Sequence, residues 1–430
     1  MEEQSQKVNL SVNTRIERDR KLINEARERG RWPLFGVFVR LSGPGWLQSA
    51  ITLGGGTLSN SLYLAVLTGF VFLWLQPVAM VFGIVMLSAI SYVTLSTGER
   101  PLRVINTHIN PVLGWSWLLA SMVANLVWSM PQFALGLASL TKMLFPGILG
   151  IEGPLGPNGK IVAALCILAI NILFLTLYSS GGKGMVIFET LIKCMVGMTV
   201  LCFIGVVIVI TKNGLADWRD YMGGFIPRFN MMFEPAPKLQ PFLAAVPDAF
   251  RPFWEAKILG DQRDFIISAF ATAVGINMTF MFPYSMMRKG WDRDFRGLAI
   301  FDLSTGLFIP FLIATSCVVI AAGTQLHAKP QPGLVERVDA QGAPIKVEQS
   351  LLTGYNGLLG NRLKAEIGEG EVAKLSPADL EAKISALPES ERVMAAMLVR
   401  RDAPQLAASL EPLTGTEQFA RRAGQLSEVG

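Results

Sequence analysis

Long apolar stretches separated by short polar turns make up most of this chain. A helix needs roughly 20 apolar residues to cross the hydrocarbon core of a bilayer. Hydropathy and length predict seven such spans, at about 43–67, 70–96, 113–144, 161–178, 185–210, 265–287 and 298–325. The pattern therefore predicts an all-α fold, a multispanning transmembrane helical bundle, with residues 41–325 as the transmembrane domain.

The segments outside the spans differ in character. Residues 1–40 interleave arginines with acids and predict a cytoplasmic N-terminal arm. The outer loop at 211–264 contains aromatics and prolines, which fit either a packed cap or an interfacial loop anchored by Trp218 and Trp254.

Residues 326–430 are hydrophilic and are predicted to form an extracytoplasmic segment of unknown role. Ser376 followed by Pro377 predicts the start of a helix, because serine caps helices and proline suits the first helical position. The sequence ESERVMAAMLVRR, residues 389–401, predicts another helix.

Composition narrows the class of protein. Hydrophobic residues make up 51% of the 430 residues and charged residues 17%, which is too apolar for a soluble globule and excludes a soluble enzyme. The net charge of +5 is small for this length, and much of the basic excess lies beside the spans, so no nucleic-acid partner is expected. The four cysteines lie in apolar runs without CxxC spacing, which favours core packing over disulfides or a zinc site. No cofactor and no enzymatic function are expected.

Lysine and arginine in the short loops predict the orientation. With the N-terminus inside, the turns rich in these residues face the cytoplasm, whereas the outer turn at about 145–160 contains only Lys160. The residues in the predicted cytoplasmic turns are Arg100, Arg103, Lys183, Arg288, Lys289, Arg293 and Arg296. The protein is therefore expected in the cell membrane, with lipid as a partner.

Three consecutive glycines, Gly54 to Gly56, interrupt the first span near its middle. Each internal glycine costs a helix about 1 kcal/mol relative to alanine, so the run predicts local unwinding. Unwound backbone at membrane depth is tolerated where it lines a cavity, and transporters hold substrate at such broken helices. Close packing against a neighbouring helix is the alternative explanation.

The sixth span has comparable signals in Gly275, Asn277 and Pro283. Interruptions in the first and sixth spans, five apart, are the pattern expected of inverted repeats with a central site. A simple proline kink stiffened by methionine and phenylalanine packing is the alternative.

Other polar residues also occur at membrane depth. Asn125 and Gln132 are seven residues apart on the third span and share one face. Glu189 and Lys193 have the i, i+4 spacing of a helical ion pair, which favours a structural role. Asp302 lies close to a basic turn and is expected at the membrane interface.

Two motifs resemble the natural-resistance-associated macrophage protein (NRAMP) family of divalent-metal transporters. That family's first helix reads GPG, eight residues, DPGN, then FGY-x-LLW, and the corresponding residues here are Gly43–Gly45, Gly54–Thr57 and Thr68–Trp74. The sequence GGKGMVIFETLIKCM is similar to the family's G-x-R-x-x-E motif, with Glu189 as the acid. The resemblance implies an inverted-repeat (LeuT-like) architecture with broken helices 1 and 6, and metal-ion transport by alternating access.

The chain departs from the family at several acids. Gly54 replaces the DPGN aspartate and Thr57 its asparagine, while Gln132 and Asn171 occupy the positions of acids on spans three and four. The counterpart of the family's MPH motif lies within Asn277–Tyr284. Because hard dications prefer carboxylate oxygens and amides do not titrate, these changes disfavour classical metal and proton symport.

The expected function is that of an NRAMP-like secondary transporter whose first substrate candidate is a metal ion. The expected substrate-binding residues are Gly54, Gly55, Gly56, Thr57, Asn277, Met278, Thr279, Gln132 and Asn125. Any metal would contact the backbone of Gly54 and the side chains of Thr57 and Asn277.

Two alternatives remain open. One is an anionic or zwitterionic solute bound at the N-terminus of the half-helix beginning at Thr57. The other is a non-transporting membrane sensor or scaffold. Seven spans complete one five-helix repeat of the family and leave the second repeat incomplete, so a fragment or a truncated product is expected. The oligomeric state is not predicted.

Overall fold

The computed structural model describes residues 2–150, 153–179, 182–215, 217–336 and 347–401, together with residues 345, 406, 409 and 410. Within these residues the regular structure is helical and contains no strand. The α-helices are α1 Glu2–Arg29, α2 Arg31–Leu41, α3 Pro44–Thr52, α4 Gly55–Thr68, α5 Leu75–Thr97, α6 Pro101–His108, α7 Pro111–Ala138, α8 Pro146–Leu149, α9 Gly159–Ser179, α10 Gly182–Lys212, α11 Trp218–Gly223, α12 Gln240–Ala244, α13 Arg251–Ala273, α14 Ile276–Arg288, α15 Arg296–Asp302, α16 Phe308–Gln325, α17 Gln349–Ile367, α18 Glu369–Ala373, α19 Pro377–Ser385 and α20 Glu389–Leu398.

Six stretches of helix in the described residues are long and apolar enough to cross a membrane, and the bent pair α3 and α4 makes a seventh span. Span 1 is α3 with α4, span 2 is α5, span 3 is α7, span 4 is α9, span 5 is α10, span 6 is α13 with α14, and span 7 is α15 with α16. The prediction of an all-α multispanning bundle is confirmed. Span 6 begins at Arg251 rather than at about 265, because its first three turns are helical but charged and so escape a hydropathy criterion.

The glycine run interrupts span 1 as predicted. α3 ends at Thr52 and α4 begins at Gly55, and their axes differ by 51°. Between them Leu53 is buried, and Gly54 has extended backbone with φ −74° and ψ 169°. A residue in this conformation cannot continue a helix, so the chain changes direction at this point.

Span 6 is interrupted at Val274 and Gly275, between α13 and α14. Both residues have extended backbone, with φ −142° and ψ 108° at Val274 and φ −76° and ψ 156° at Gly275. Pro283, whose kink was the alternative explanation, lies inside α14. Gly83 of α5 lies against the Val274 side chain, which fills the space that a Cβ at Gly83 would need.

The GPG motif at the start of span 1 contacts a buried carboxylate of span 7. The backbone N–H groups of Gly43 and Gly45 donate to Asp302 at 3.1 and 2.7 Å. Asp302, which was expected at the membrane interface, has a fully buried side chain. It satisfies the free N–H groups at the N-terminus of α3 and suits the positive end of that helix.

Glu189 has a different partner from the one its spacing suggested. Its carboxylate pairs with Lys289 at 2.9 Å, while Lys193 donates to the carbonyl of Ser42 at 2.9 Å. These contacts tie spans 5 and 6 to the residues just before α3. The predicted helical pair of Glu189 with Lys193 is therefore replaced by an interhelical pair.

At the same end of the bundle, α1 packs on the turn between spans 6 and 7. Ile23 is buried in a cluster with Phe295 and Leu298. Arg20 pairs with Asp292 and, at 3.1 Å, with Asp294.

The opposite end is covered by the segment around α11 and α12, which is a packed cap. The N–H of Trp74 donates to the carbonyl of Gly224 at 2.9 Å, and Tyr221 packs edge-on against Phe70. Trp254, one of the two expected interfacial anchors, is instead fully buried within α13.

Residues 349–398 pack on the cap, on the second half of span 1 (α4) and on the first half of span 6 (α13). The hydroxyl of Tyr63 in α4 donates to the carbonyl of Leu398 at 2.8 Å. Glu391 accepts from the indole Nε1 of Trp254 at 3.0 Å and pairs with the buried Arg362. The predicted helices at Ser376 and at 389–401 are present as α19 and α20.

Candidate functional site

The interruptions of spans 1 and 6 border one cavity with a volume of about 400 Å³. Span 3 supplies its remaining wall. The lining residues are Ala50, Ile51, Thr52, Gly54, Gly56, Thr57, Asn125, Trp128, Ser129, Gln132, Ala271, Thr272, Gly275, Asn277 and Met278.

Most of the residues predicted to bind substrate lie together at this cavity. The members of the predicted set that line it are Gly54, Gly56, Thr57, Asn125, Gln132, Asn277 and Met278. Gly55 and Thr279 do not line it. Gly55 is buried at the first position of α4, and the Thr279 hydroxyl accepts from the indole Nε1 of Trp117 at 3.1 Å.

Four helix ends meet at the cavity because both spans break at the same level. The C-terminal ends of α3 and α13 contribute carbonyl groups and a partial negative charge. The N-terminal ends of α4 and α14 contribute N–H groups and a partial positive charge. The cavity can therefore stabilise a cation near one pair of helix ends and an anionic group near the other.

Two threonine hydroxyls link the broken spans. The Oγ1 of Thr57 donates to the carbonyl of Thr272 at 3.0 Å. The Oγ1 of Thr52 lies 3.5 Å from the carbonyl oxygen of Ala273 and 3.4 Å from the Sδ of Met278. The carbonyl of Gly54, an expected metal contact, already accepts from the N–H of Thr57 at 3.1 Å.

An amide pair connects span 6 to span 3. The Nδ2 of Asn277 donates to the Oδ1 of Asn125 at 3.1 Å. The Oδ1 of Asn277 accepts from the N–H of Met278 at 3.0 Å. Gln132 lies further along the face of α7 that also carries Asn125, as the spacing of seven predicted. The two amides thus fix the orientation of the first turn of α14 relative to α7.

Trp128 is a lining residue that the sequence reasoning missed. A Cβ on Gly56 would lie 2.6 Å from its ring, so the absence of a side chain at Gly56 lets the indole lie directly on the broken helix. The missed signal was helical periodicity, since Trp128 follows Asn125 by three residues and precedes Gln132 by four.

Uncharged groups make up the whole lining of the cavity, as far as the described residues define it. Those residues also include no group of three or more His, Cys, Asp or Glu side chains placed to hold a metal ion. Asn171, which the sequence resemblance aligned with a family acid, is exposed on span 4 and donates to the carbonyl of Ile167 in its own helix. The available ligands are hydroxyl, amide and carbonyl oxygens and the thioether of Met278.

These features define a multispanning helical membrane protein in which two interrupted spans enclose a central polar cavity. No protein-family model matches the chain. No curated protein matches it.

The chain is similar in structure to a manganese transporter of Eremococcus coleocola, solved in several forms. One mutant of that transporter matches with a TM-score of 0.46 and 14% identity, over 92% of this chain and 66% of that one. Its complex with an aromatic bis-isothiourea substituted compound matches with a TM-score of 0.47 and 13% identity, over 93% and 71%. Another mutant matches with a TM-score of 0.46 and 13% identity, over 91% of this chain and 76% of that one. The chain thus spans less than two thirds of the length of the first of these structures.

Proposed function

We propose that the protein is a secondary membrane transporter that works by alternating access around the broken spans 1 and 6. The observation that supports this function is the meeting of both interruptions at one polar cavity. Broken spans expose backbone donors and acceptors at membrane depth, and such exposure is tolerated where the backbone contacts a solute or water.

A metal ion is the first substrate candidate. The carbonyl ends of α3 and α13, together with Thr57 and Asn277, would offer it neutral oxygen ligands. Without a carboxylate, a divalent ion gains too little to replace its hydration shell completely, because stripping that shell is costly. A cavity of about 400 Å³ has room for an ion that keeps several of its waters.

An anionic or zwitterionic small solute is the second candidate. It is favoured by the N-terminus of α4, where the N–H groups of Gly55 and Gly56 precede the first intrahelical bonds made to Gly54. The uncharged lining provides no carboxylate to repel an anion. A zwitterion could place its opposite charges at the two kinds of helix end.

Flux into proteoliposomes containing the full chain tests this function. Mn²⁺ and Mg²⁺ uptake is compared with uptake of labelled amino acids, for the unmodified protein, Asn277→Ala and Asn171→Ala. Asn277→Ala removes a cavity amide, whereas Asn171→Ala removes the same group from an exposed position outside the cavity. We expect uptake of one substrate class, reduced by Asn277→Ala and unchanged by Asn171→Ala. Absence of uptake of every solute would instead favour a membrane sensor or scaffold.

We also propose that residues 1–40 lie in the cytoplasm and that the hydrophilic segment 326–430 lies outside. The docking of α1 on the basic turn between spans 6 and 7 supports this orientation, since both then face the same side. Cysteines introduced by Arg18→Cys and Asp379→Cys can be labelled in intact cells with an impermeant maleimide. Labelling of the Arg18→Cys variant, with protection of the Asp379→Cys variant, would indicate the opposite orientation and contradict this proposal.

A further inference from the structure

A second cavity, with a volume of about 570 Å³, lies at the end of the bundle that carries the packed cap. The turn between spans 1 and 2 and the C-terminal end of span 7 form its inner wall. The cap supplies the outer wall, including the side chains of Arg219, Arg228 and Lys238. This cavity shares no lining residue with the central one.

Positive charge in this second cavity exceeds negative charge. Lys238 lies 3.8 Å from Asp220, which also lines the cavity. The guanidinium groups of Arg219 and Arg228 form no salt bridge within the part of the chain that the structure describes. The guanidinium groups of both arginines are therefore available to a ligand.

The groups behind the cavity do not neutralise this charge. Burial lowers the pKa of His327 to about 4, so the imidazole is neutral at physiological pH, and its Nδ1 donates to the carbonyl of Val66 at 2.9 Å. Burial, followed by the charges of Lys238 and Arg401, lowers the pKa of Lys329. The neutral imidazole therefore adds no negative charge on the side of the cavity that faces span 7.

Apolar side chains border the same basic residues. Met222 and Ile226 line the cavity and are 55% and 62% exposed, and Phe229, next to Arg228, is 63% exposed. Arginines beside exposed apolar side chains at the end of transmembrane helices are typical of the level of lipid headgroups. A ligand here would meet a cationic group and a hydrocarbon-compatible surface together.

We propose that this second cavity is a phosphate-binding site formed by Arg219, Arg228 and Lys238, and that its occupant is the phosphate of an anionic phospholipid headgroup. Planar guanidinium groups bind phosphate oxygens in pairs, which a point charge cannot do. Basic pockets at the ends of transmembrane helices are suited to lipid headgroups in this way. Free phosphate has the same oxyanion chemistry, and the experiment distinguishes the two sources.

The test measures lipid binding by the full chain in detergent micelles, with phosphatidylglycerol, phosphatidylcholine and inorganic phosphate as separate probes. The double variant Arg219→Gln/Arg228→Gln removes both of these guanidinium groups. Arg263→Gln is the matched control, because Arg263 is exposed on the same end of the bundle, contacts Phe233 and does not line the cavity.

We expect phosphatidylglycerol to bind more tightly than phosphatidylcholine, and the double variant to bind it about thirtyfold more weakly, the factor for removing two cations facing an anionic lipid. Arg263→Gln should bind like the unmodified protein. Binding of inorganic phosphate alone, lost in the double variant, would identify free phosphate as the occupant.

Unchanged phosphatidylglycerol binding in the double variant overturns the proposal, as does equal binding of both lipids. Thermal unfolding midpoints check that the variants fold. Arg219→Lys/Arg228→Lys retains both positive charges but not the planar guanidinium groups. We expect it to bind phosphatidylglycerol with an affinity between those of the unmodified protein and the glutamine double variant. If the glutamine double variant does not fold, the lysine pair and Arg228→Gln alone decide the outcome.

Discussion

Glu391 is a buried carboxylate in the segment that packs on α4 and α13. It is fully buried, accepts from the indole of Trp254 at 3.0 Å, and accepts from the Nη2 of Arg362 at 2.9 Å. The Arg362 guanidinium also stacks on Phe250, with its Cζ 3.3 Å from the ring centroid. Glu391→Ala would leave the buried indole N–H without its acceptor, and would leave the buried guanidinium with the half-exposed Glu366 as its remaining carboxylate partner.

The magnitude follows from this burial. Removing one partner of a buried ion pair costs about 3–5 kcal/mol when the remaining charge is left uncompensated. The lower end of this range applies here, because Glu366 still pairs with Arg362. The exposed pair of Lys364 and Glu369, whose atoms are 3.7 Å apart, provides the contrast, since exposed pairs contribute about 0–1 kcal/mol. Glu391→Ala should therefore raise the open population of the segment by roughly 10², at 1.36 kcal/mol per factor of ten.

Limited proteolysis measures this population, since cleavage tracks the opening equilibrium when reclosing is fast. Thermolysin suits the assay because it cleaves beside apolar residues, which these substitutions leave in place. Glu369→Ala should be cleaved at the rate of the unmodified protein. Replacing both partners, in Arg362→Met/Glu391→Met, should restore much of the loss. Equal cleavage rates for Glu391→Ala and Glu369→Ala would refute the reasoning.

Two further predictions concern the cavity and pH. Gly56→Ala places a Cβ 2.6 Å from the Trp128 ring, so it should destabilise the folded protein by about 1–3 kcal/mol and reduce uptake. Gly197→Ala is the control, because a Cβ at Gly197 meets open space. Equal thermal unfolding midpoints for the two variants would contradict this prediction. The pKa of His327 is about 4 in the folded protein, below its ordinary value, so its contribution to stability is complete above about pH 6.5 and is lost as pH falls through 4. Chemical unfolding measures the free energy of unfolding of the unmodified protein and of His327→Phe as a function of pH. Relative to its own value at pH 7, the unmodified protein should lose about 3 kcal/mol more than His327→Phe below about pH 4. The same pH dependence in both proteins would exclude this role.

The spans and the first interruption could be predicted because their causes are local. A bilayer requires long apolar runs, and Gly54 to Gly56 weaken a helix wherever they occur. The second interruption was harder to place, since Pro283 is a stronger local signal than Val274. Its position depends on packing of the Val274 side chain against Gly83, a contact between distant parts of the chain.

The central site was predictable to the extent that its residues follow helical periodicity or lie at the breaks. Asn125 and Gln132 share a face of α7, and the same rule applied one step further would have included Trp128. Long-range pairs gave no such signal. Asp302 was expected at the interface because it lies close to a basic turn, and its partners, the N–H groups of Gly43 and Gly45, are more than 250 residues earlier in the chain.

The contacts of α20 also have a kinetic consequence. Through Tyr63 and Trp254 this one helix is bound to α4 and to α13, the halves of the two broken spans that lie at the cap end of the bundle. In the alternating-access cycle proposed above, α4 and α13 would separate at this end only after one of these two contacts breaks. Detachment of a packed segment is a local unfolding event, on a scale of roughly microseconds to seconds. In that proposed cycle, the rate at which α20 detaches would limit how often the cavity opens toward this end.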